Sequence, residues 1–260
     1  MRTYKLTIAY DGTNYQGWQR QKNTDQTIQG ILEETLTNCV GYQVQIDGSG
    51  RTDAGVHASG QAASVVLPGK VQTALFTEKM NECLPPDIRI LDAKLVKNGF
   101  HARKSAVGKV YEYRIDTGMK QDVFTRKYSC HFPRKLDIEK MREAAGYLIG
   151  THLFAGYTDK KDNKSVRRTI YSITITDERE DALLSERSEQ IWKGNGIVIR
   201  YDGTGFLYHM VRILTGTLLE VGVRERTAKS VKEALLTGDR SKSGFLAPPG
   251  GLFLKEVRYE

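Results

Sequence analysis

The chain has 260 residues, a formal net charge of +8, a pI near 9.3, 39% hydrophobic residues and a mean hydropathy of −0.46. That length can bury a core as one large domain or two small ones, and no apolar run reaches the roughly 20 residues a membrane-spanning helix needs. Three scattered cysteines, Cys39, Cys83 and Cys130, offer neither a disulfide framework nor a Cys-x-x-Cys metal site, so no metal is expected and a reducing cytoplasm is the expected compartment. The basic balance fits a polyanionic partner, with plain solubility as the other reading.

The N-terminus goes straight into alternation, without the apolar core of a signal peptide. Arg2 to Tyr10 reads as a strand, with Tyr4, Leu6, Ile8 and Tyr10 on one face. Asp11 to Gly17 is turn chemistry, and Asn23-Thr24-Asp25 offers helix caps. Ile28, Ile31, Leu32, Leu36 and Cys39 follow at helical spacing up to Gly41. A strand-like run from Tyr42 to Ile46 leads into a glycine-rich stretch, and another from Ala62 to Leu67 leads out. Val71 to Leu84 is a weaker helix stopped by Pro85-Pro86, and Ile88 to Val96 is a strand. Val107 to Asp116 alternates, with Tyr111, Tyr113 and Ile115 opposite Val110, Glu112 and Arg114. Asp137 caps a helix bearing Ile138, Met141, Ala145 and Leu148, closed by Gly150. Ser165 to Thr176 and Gln190 to Tyr201 read as strands, the latter broken at Gly194-Asn195-Gly196. Phe206 to Val221 is the most apolar helix, Val231 to Leu236 a short one, and Leu252 to Tyr259 a final strand.

Interspersed helices and alternating strands predict an α+β fold with mostly antiparallel sheet. Ile8-Ala9-Tyr10-Asp11-Gly12-Thr13 recurs as Ile199-Arg200-Tyr201-Asp202-Gly203-Thr204. Chance is one reading of so short a match; two related α/β halves, RRM- or ferredoxin-like with a central cleft between them, is the other. The expected halves are residues 1–104 and 105–260.

The stretch Gly48 to Gln61 holds Arg51, Asp53 and His57 among four glycines up to Gly60 and no large apolar side chain but Val56. An Asp in such a connection can simply cap a turn. A phosphate cradle fits poorly, because Gly48-x-Gly50 with Gly55 lacks the P-loop ending and the dinucleotide spacing, and a carboxylate would repel the phosphate. An active-site aspartate with its own arginine fits better.

Gly50-Arg51-Thr52-Asp53-Ala54-Gly55-Val56-His57 resembles the signature of the tRNA pseudouridine synthase A family. The resemblance extends, in order, over Gln26 to Gly30, Phe100 to Arg103 with Ser105-Ala106, Lys109 to Tyr113, His209 to Arg212 with Gly216, and Ala247 to Leu254. It therefore covers almost the whole chain; the lysine-rich stretch Tyr157 to Arg168 aligns least. The family isomerises uridine to pseudouridine in the tRNA anticodon arm, at positions 38, 39 and 40, works as a homodimer and needs no cofactor. By this resemblance Asp53 is the nucleophile, Tyr111 the active-site tyrosine against the uracil, and Arg212 the ion-pair partner that favours an ionised Asp53. Arg51 takes the vacated space or an adjacent phosphate, and Leu252 closes the pocket. Arg20, Lys22, Arg103, Lys104, Lys109 and Arg126 form a basic set for phosphates, His57 orients the loop, and Tyr113 stays in the core. Two rivals stand beside this reading: a non-catalytic RNA-binding module, which gives no reason for the Asp53 loop, and a hydrolase or transferase of free nucleosides.

Overall fold

In the computed structural model, residues 1–160, 165–178 and 196–260 are described. They divide into two units, residues 1–109 with 253–260, and residues 110–252. The first unit begins with β1 (Arg2–Tyr10), then α1 (Ile28–Val40), β2 (Ile46–Gly48), β3 (His57–Leu67), α2 (Thr73–Cys83) and β4 (Ile88–Leu95). The alternating face Tyr4, Leu6, Ile8 and Tyr10 is buried throughout, as a half-covered strand requires. β1 lies between β3 and β4, antiparallel to both, and β2 adds to β3 through Ile46 opposite Val65. The terminal strand β10 (Leu252–Tyr259) runs parallel to the start of β3, with Phe253 opposite His57.

The second unit contains the body of β5 (Ala106–Asp116), short β6 (Cys130–His131), α3 (Ile138–Gly146), β7 (Gly150–Leu153), β8 (Arg167–Asp177), β9 (Gly196–Gly203), α4 (Met210–Gly222) and α5 (Val231–Thr237). Its strand order is β5-β9-β8-β7. Both units thus follow one path: a strand, a helix, an antiparallel return, and a second helix, with the first strand beside the last of the return. The fold is α+β with mostly antiparallel pairing, as the alternation predicted. α4 is buried on nearly every side, including Arg212.

Where boundaries differ from the sequence reading, long-range partners decide them. α1 is capped by Thr27, whose side chain accepts from Gly30 N at 3.2 Å, rather than by Asn23 to Asp25. The reason lies in the Gly17-Trp18 turn, whose carbonyls accept the Ile28 and Gln29 amides. Residues 42–45 are not strand, because Val44 N and Ile46 N bond to Thr37 Oγ1 and Glu33 Oε1 of α1. β3 starts at His57, five residues early, because β10 supplies a partner far away in sequence. α4 starts at Met210 rather than Phe206, because His209 takes the left-handed conformation, φ 61. β6 and β7 are too short for periodicity to reveal. Of the strand expected over 190–201, residues 190–195 lie outside the described residues.

Candidate functional site

Asp53 sits half-buried, with exposed Arg51 two residues before it, on the loop between β2 and β3. The loop is tied down on both sides of these residues. Fully buried Gln61 donates from Nε2 to Gly50 O at 3.0 Å, while its Oε1 accepts from Ala62 N at 3.2 Å. Trp18 N donates to Thr52 O at 3.0 Å, and Tyr10 Oη shares a 2.8 Å hydrogen bond with Thr52 Oγ1, both side chains being buried. Burial pushes the Tyr10 phenol far above its ordinary range, so it remains a protonated partner for Thr52. Lys109 Nζ donates to Ser49 O at 2.8 Å. Beyond Asp53, Gly55 N bonds to Tyr15 O, and Val56 N to Asp53 O. A Cβ on Gly12 would meet Val56 O at 2.0 Å, and one on Gly17, at φ 90, would meet Thr52 O at 2.6 Å. Two stretches of backbone therefore press directly against the loop, a close approach only glycine permits.

His57 is buried and stacks on Phe253 with ring centroids 4.7 Å apart. Its Nδ1 lies 3.0 Å from Gly12 N and 3.1 Å from Asp11 Oδ1. It accepts from the first only when Nδ1 is unprotonated and donates to the second only when it is protonated, so the proton selects between the two partners. Either way His57 joins the Asp53 loop to the end of β1. Arg51 lines an open cavity of about 350 Å³ together with Trp18, Gly50, His101, Arg103 and Lys104. Three cations and an imidazole against the one carboxylate of Asp47 leave the cavity's lining net positive, which suits an anionic chain. Other members of the basic set are already engaged: Arg20 with buried Glu33 at 3.3 Å, Arg126 with Val123 O, and Lys109 with the loop. Lys160 is described; Lys161 and Lys164 lie outside the described residues.

Tyr111, Arg212 and Leu252 belong to the second unit, and all three are buried. Tyr111 meets Phe206 edge-on, with centroids 5.3 Å apart. Arg212, in the first turn of α4, donates from Nε to Ala247 O at 2.7 Å. Tyr113 is in the core, its hydroxyl on Pro248 O at 2.7 Å, and burial pushes its phenol well up. Below α4, Tyr201 Oη shares a 2.8 Å bond with Thr215 Oγ1, which donates to Val211 O beside Arg212. Sequence reasoning missed Tyr10 and Gln61 as supports of the Asp53 loop and Tyr201 as a support of α4. The echo around Tyr10 and Tyr201 was the signal that could have found two of them. Among the described residues, no group of three or more His, Cys, Asp or Glu is placed to hold a metal ion, and no helix is long and apolar enough to cross a membrane.

A carboxylate on a loop held this firmly, two residues from the Arg51 guanidinium, suits attack on a carbon that develops positive charge. Residues 6–103 and 144–260 match the family described as tRNA pseudouridine synthase. The chain is 41% identical to tRNA pseudouridine synthase A of Lacticaseibacillus casei, 42% to that of a Bacillus species and 43% to that of Clostridium kluyveri, each match covering 100% of both chains.

Proposed function

The chain belongs to the tRNA pseudouridine synthase family, and on that premise we propose that Asp53 is the nucleophile with which it isomerises uridine to pseudouridine in tRNA. The reaction breaks the N1–C1′ bond, turns the uracil and joins C5 to C1′. The proton lost from C5 is matched by one gained at N1, so the isomerisation calls for no co-reactant. A carboxylate serves it by attacking C1′ or by stabilising the positive charge that develops there. The observation that carries this reading is the clamped loop: every tie around Asp53 is made before substrate arrives, so little reorganisation is left for the reacting state.

The remaining roles belong to the same proposal. Tyr111 lies against the extracted uracil and assists the C5 proton. Arg212 supplies buried positive charge at the reacting centre, and Leu252 closes the base's pocket. Extracting the uridine costs a few kcal/mol of stacking and pairing; Arg51 offsets it by entering the vacated space or holding the adjacent phosphate. The substrate uridines are those at tRNA positions 38, 39 and 40 of the anticodon arm, and the enzyme acts as a homodimer in the cytoplasm, as the sequence resemblance implies.

The test is tritium release from uracil C5-labelled tRNA incubated with the protein alone, followed by mapping of the product. Asp53→Asn lowers turnover by about 10⁴-fold or more while tRNA affinity stays within about threefold of the parent. Undiminished tritium release from Asp53→Asn would refute the assignment.

A further inference from the structure

The loop from β9 to α4 carries a third feature besides Phe206 and Arg212. Tyr208 leaves 51% of its surface in solvent, yet its direction is fixed. Its carbonyl accepts from Thr158 Oγ1 at 2.8 Å, and its ring stacks on the imidazole of His209, centroids 3.6 Å apart and planes 25° apart. His209 in turn holds φ 61, a backbone state that residues with a Cβ seldom adopt and that gathers at functional sites. Its Nδ1 lies 2.6 Å from Asp159 Oδ2, and Arg240 Nε donates to Asp159 Oδ1 at 2.8 Å. Arg240 is itself anchored on Ser243 Oγ and Gly244 O, both at 2.9 Å. A strained residue and a chain of polar contacts thus hold one half-exposed ring in place. Core packing does not account for this, because half of that ring's residue faces water.

A rigid, exposed aromatic face suits the π-face of an unpaired base, whatever the base. The position fits as well. The same short loop carries Phe206, which touches Tyr111, the residue assigned to the uracil above. We propose that Tyr208 is a stacking platform for an unpaired base of the tRNA next to the uridine that is isomerised. The proposal rests on the reading of the chain as a tRNA-modifying enzyme and adds a second base-binding subsite to it.

The experiment measures tRNA affinity in both the parent and the Asp53→Asn background, and kcat and KM in the parent. Tyr208→Ala and Tyr208→Leu weaken tRNA binding and raise KM by roughly 5- to 150-fold, the range for one lost base–aromatic stack, with kcat within about threefold. Tyr208→Phe keeps the parent affinity. A tRNA made abasic at the nucleotide beside the target loses affinity for the parent protein by the same factor and loses nothing further with Tyr208→Ala. The proposal is overturned if Tyr208→Leu binds tRNA like the parent, if the abasic and Tyr208→Ala losses multiply at both neighbouring positions, or if sedimentation shows that the variants change assembly while tRNA affinity holds. None of these readouts depends on whether Asp53→Asn abolishes turnover, so the two readings stand or fall separately.

Discussion

Removing one oxygen under the Asp53 loop separates positioning from stability. Tyr10→Phe deletes the hydroxyl that lies 2.8 Å from Thr52 Oγ1. Both side chains are buried, at 4% and 7% exposure, so the threonine hydroxyl is stranded away from water. The next polar neighbour of the lost group, Gln61 Nε2, stood 3.5 Å from it and is committed to Gly50 O. A stranded buried hydroxyl costs about 1–3 kcal/mol, which for a chain of this size lowers the melting temperature by roughly 2–4 °C per kcal/mol. Thr52→Val strands the phenol instead and costs a similar amount. Combining the two removes both ends of the bond, nearly preserves shape and leaves unmet only the long Gln61 Nε2 contact, so the double variant regains most of the lost stability. Activity follows another rule. Thr52 adjoins Asp53, and misplacement of a reacting group by about 1 Å can cost 10²-fold. Turnover therefore falls about tenfold or more in each single variant and stays down in the double, with KM for tRNA unchanged. Thermal unfolding and steady-state tritium release on all four proteins decide the matter. If activity recovers in step with melting temperature in the double variant, the bond is a packing contact and the positioning argument fails.

Two further outcomes follow from the same unit. Gly12→Ala places a Cβ 2.0 Å from Val56 O; backbone must move, at about 1–3 kcal/mol of overpacking, and tritium release drops far more than in Gly41→Ala, which has open space at φ 77 and carries only the backbone cost of about 1 kcal/mol. Burial pushes the Tyr259 phenol from 10.0 up to about 12, so its stabilisation is complete below pH 10 and is lost as pH rises through 12. Chemical unfolding of Tyr259→Phe consequently falls less steeply across that window than that of the parent, by at most about 1.4 kcal/mol per pH unit for one proton; parallel profiles would show that the phenol is as accessible folded as unfolded.

How legible these features were in the sequence depended on the range of the interactions that fix them. β1, α2, β4, β5, α3 and α5 are set by local period and punctuation, and their expected and observed ends nearly coincide. β2 and the first residues of β3 are set by side chains of α1 and by β10, so no local window could place them. The start of α4 required a left-handed His209, which no propensity favours. Asp53 and Arg51 could be picked out because glycine density and charge are visible one residue at a time. Lys109 could not be read correctly in that way. It looks like any surface lysine, and only the fold puts its ammonium group on Ser49 O.

The repeated Tyr-Asp-Gly-Thr is better explained by descent of two halves from one plan than by chance, because the two copies do the same work. Each tyrosine lies in the last three residues of a strand, is buried and bonds a threonine at 2.8 Å. Thr52 adjoins Asp53; Thr215 bonds Val211 O, next to Arg212. Each following glycine lets the backbone of another element come close, Val56 O at Gly12 and Thr169 O at Gly203. A chance match at five of six positions carries no expectation about hydroxyl partners on elements outside it. A duplicated strand end does, since the phenol needs a buried partner wherever it is placed. The carboxylate-bearing loop of one unit and the arginine-bearing helix of the other are thus braced by one device used twice.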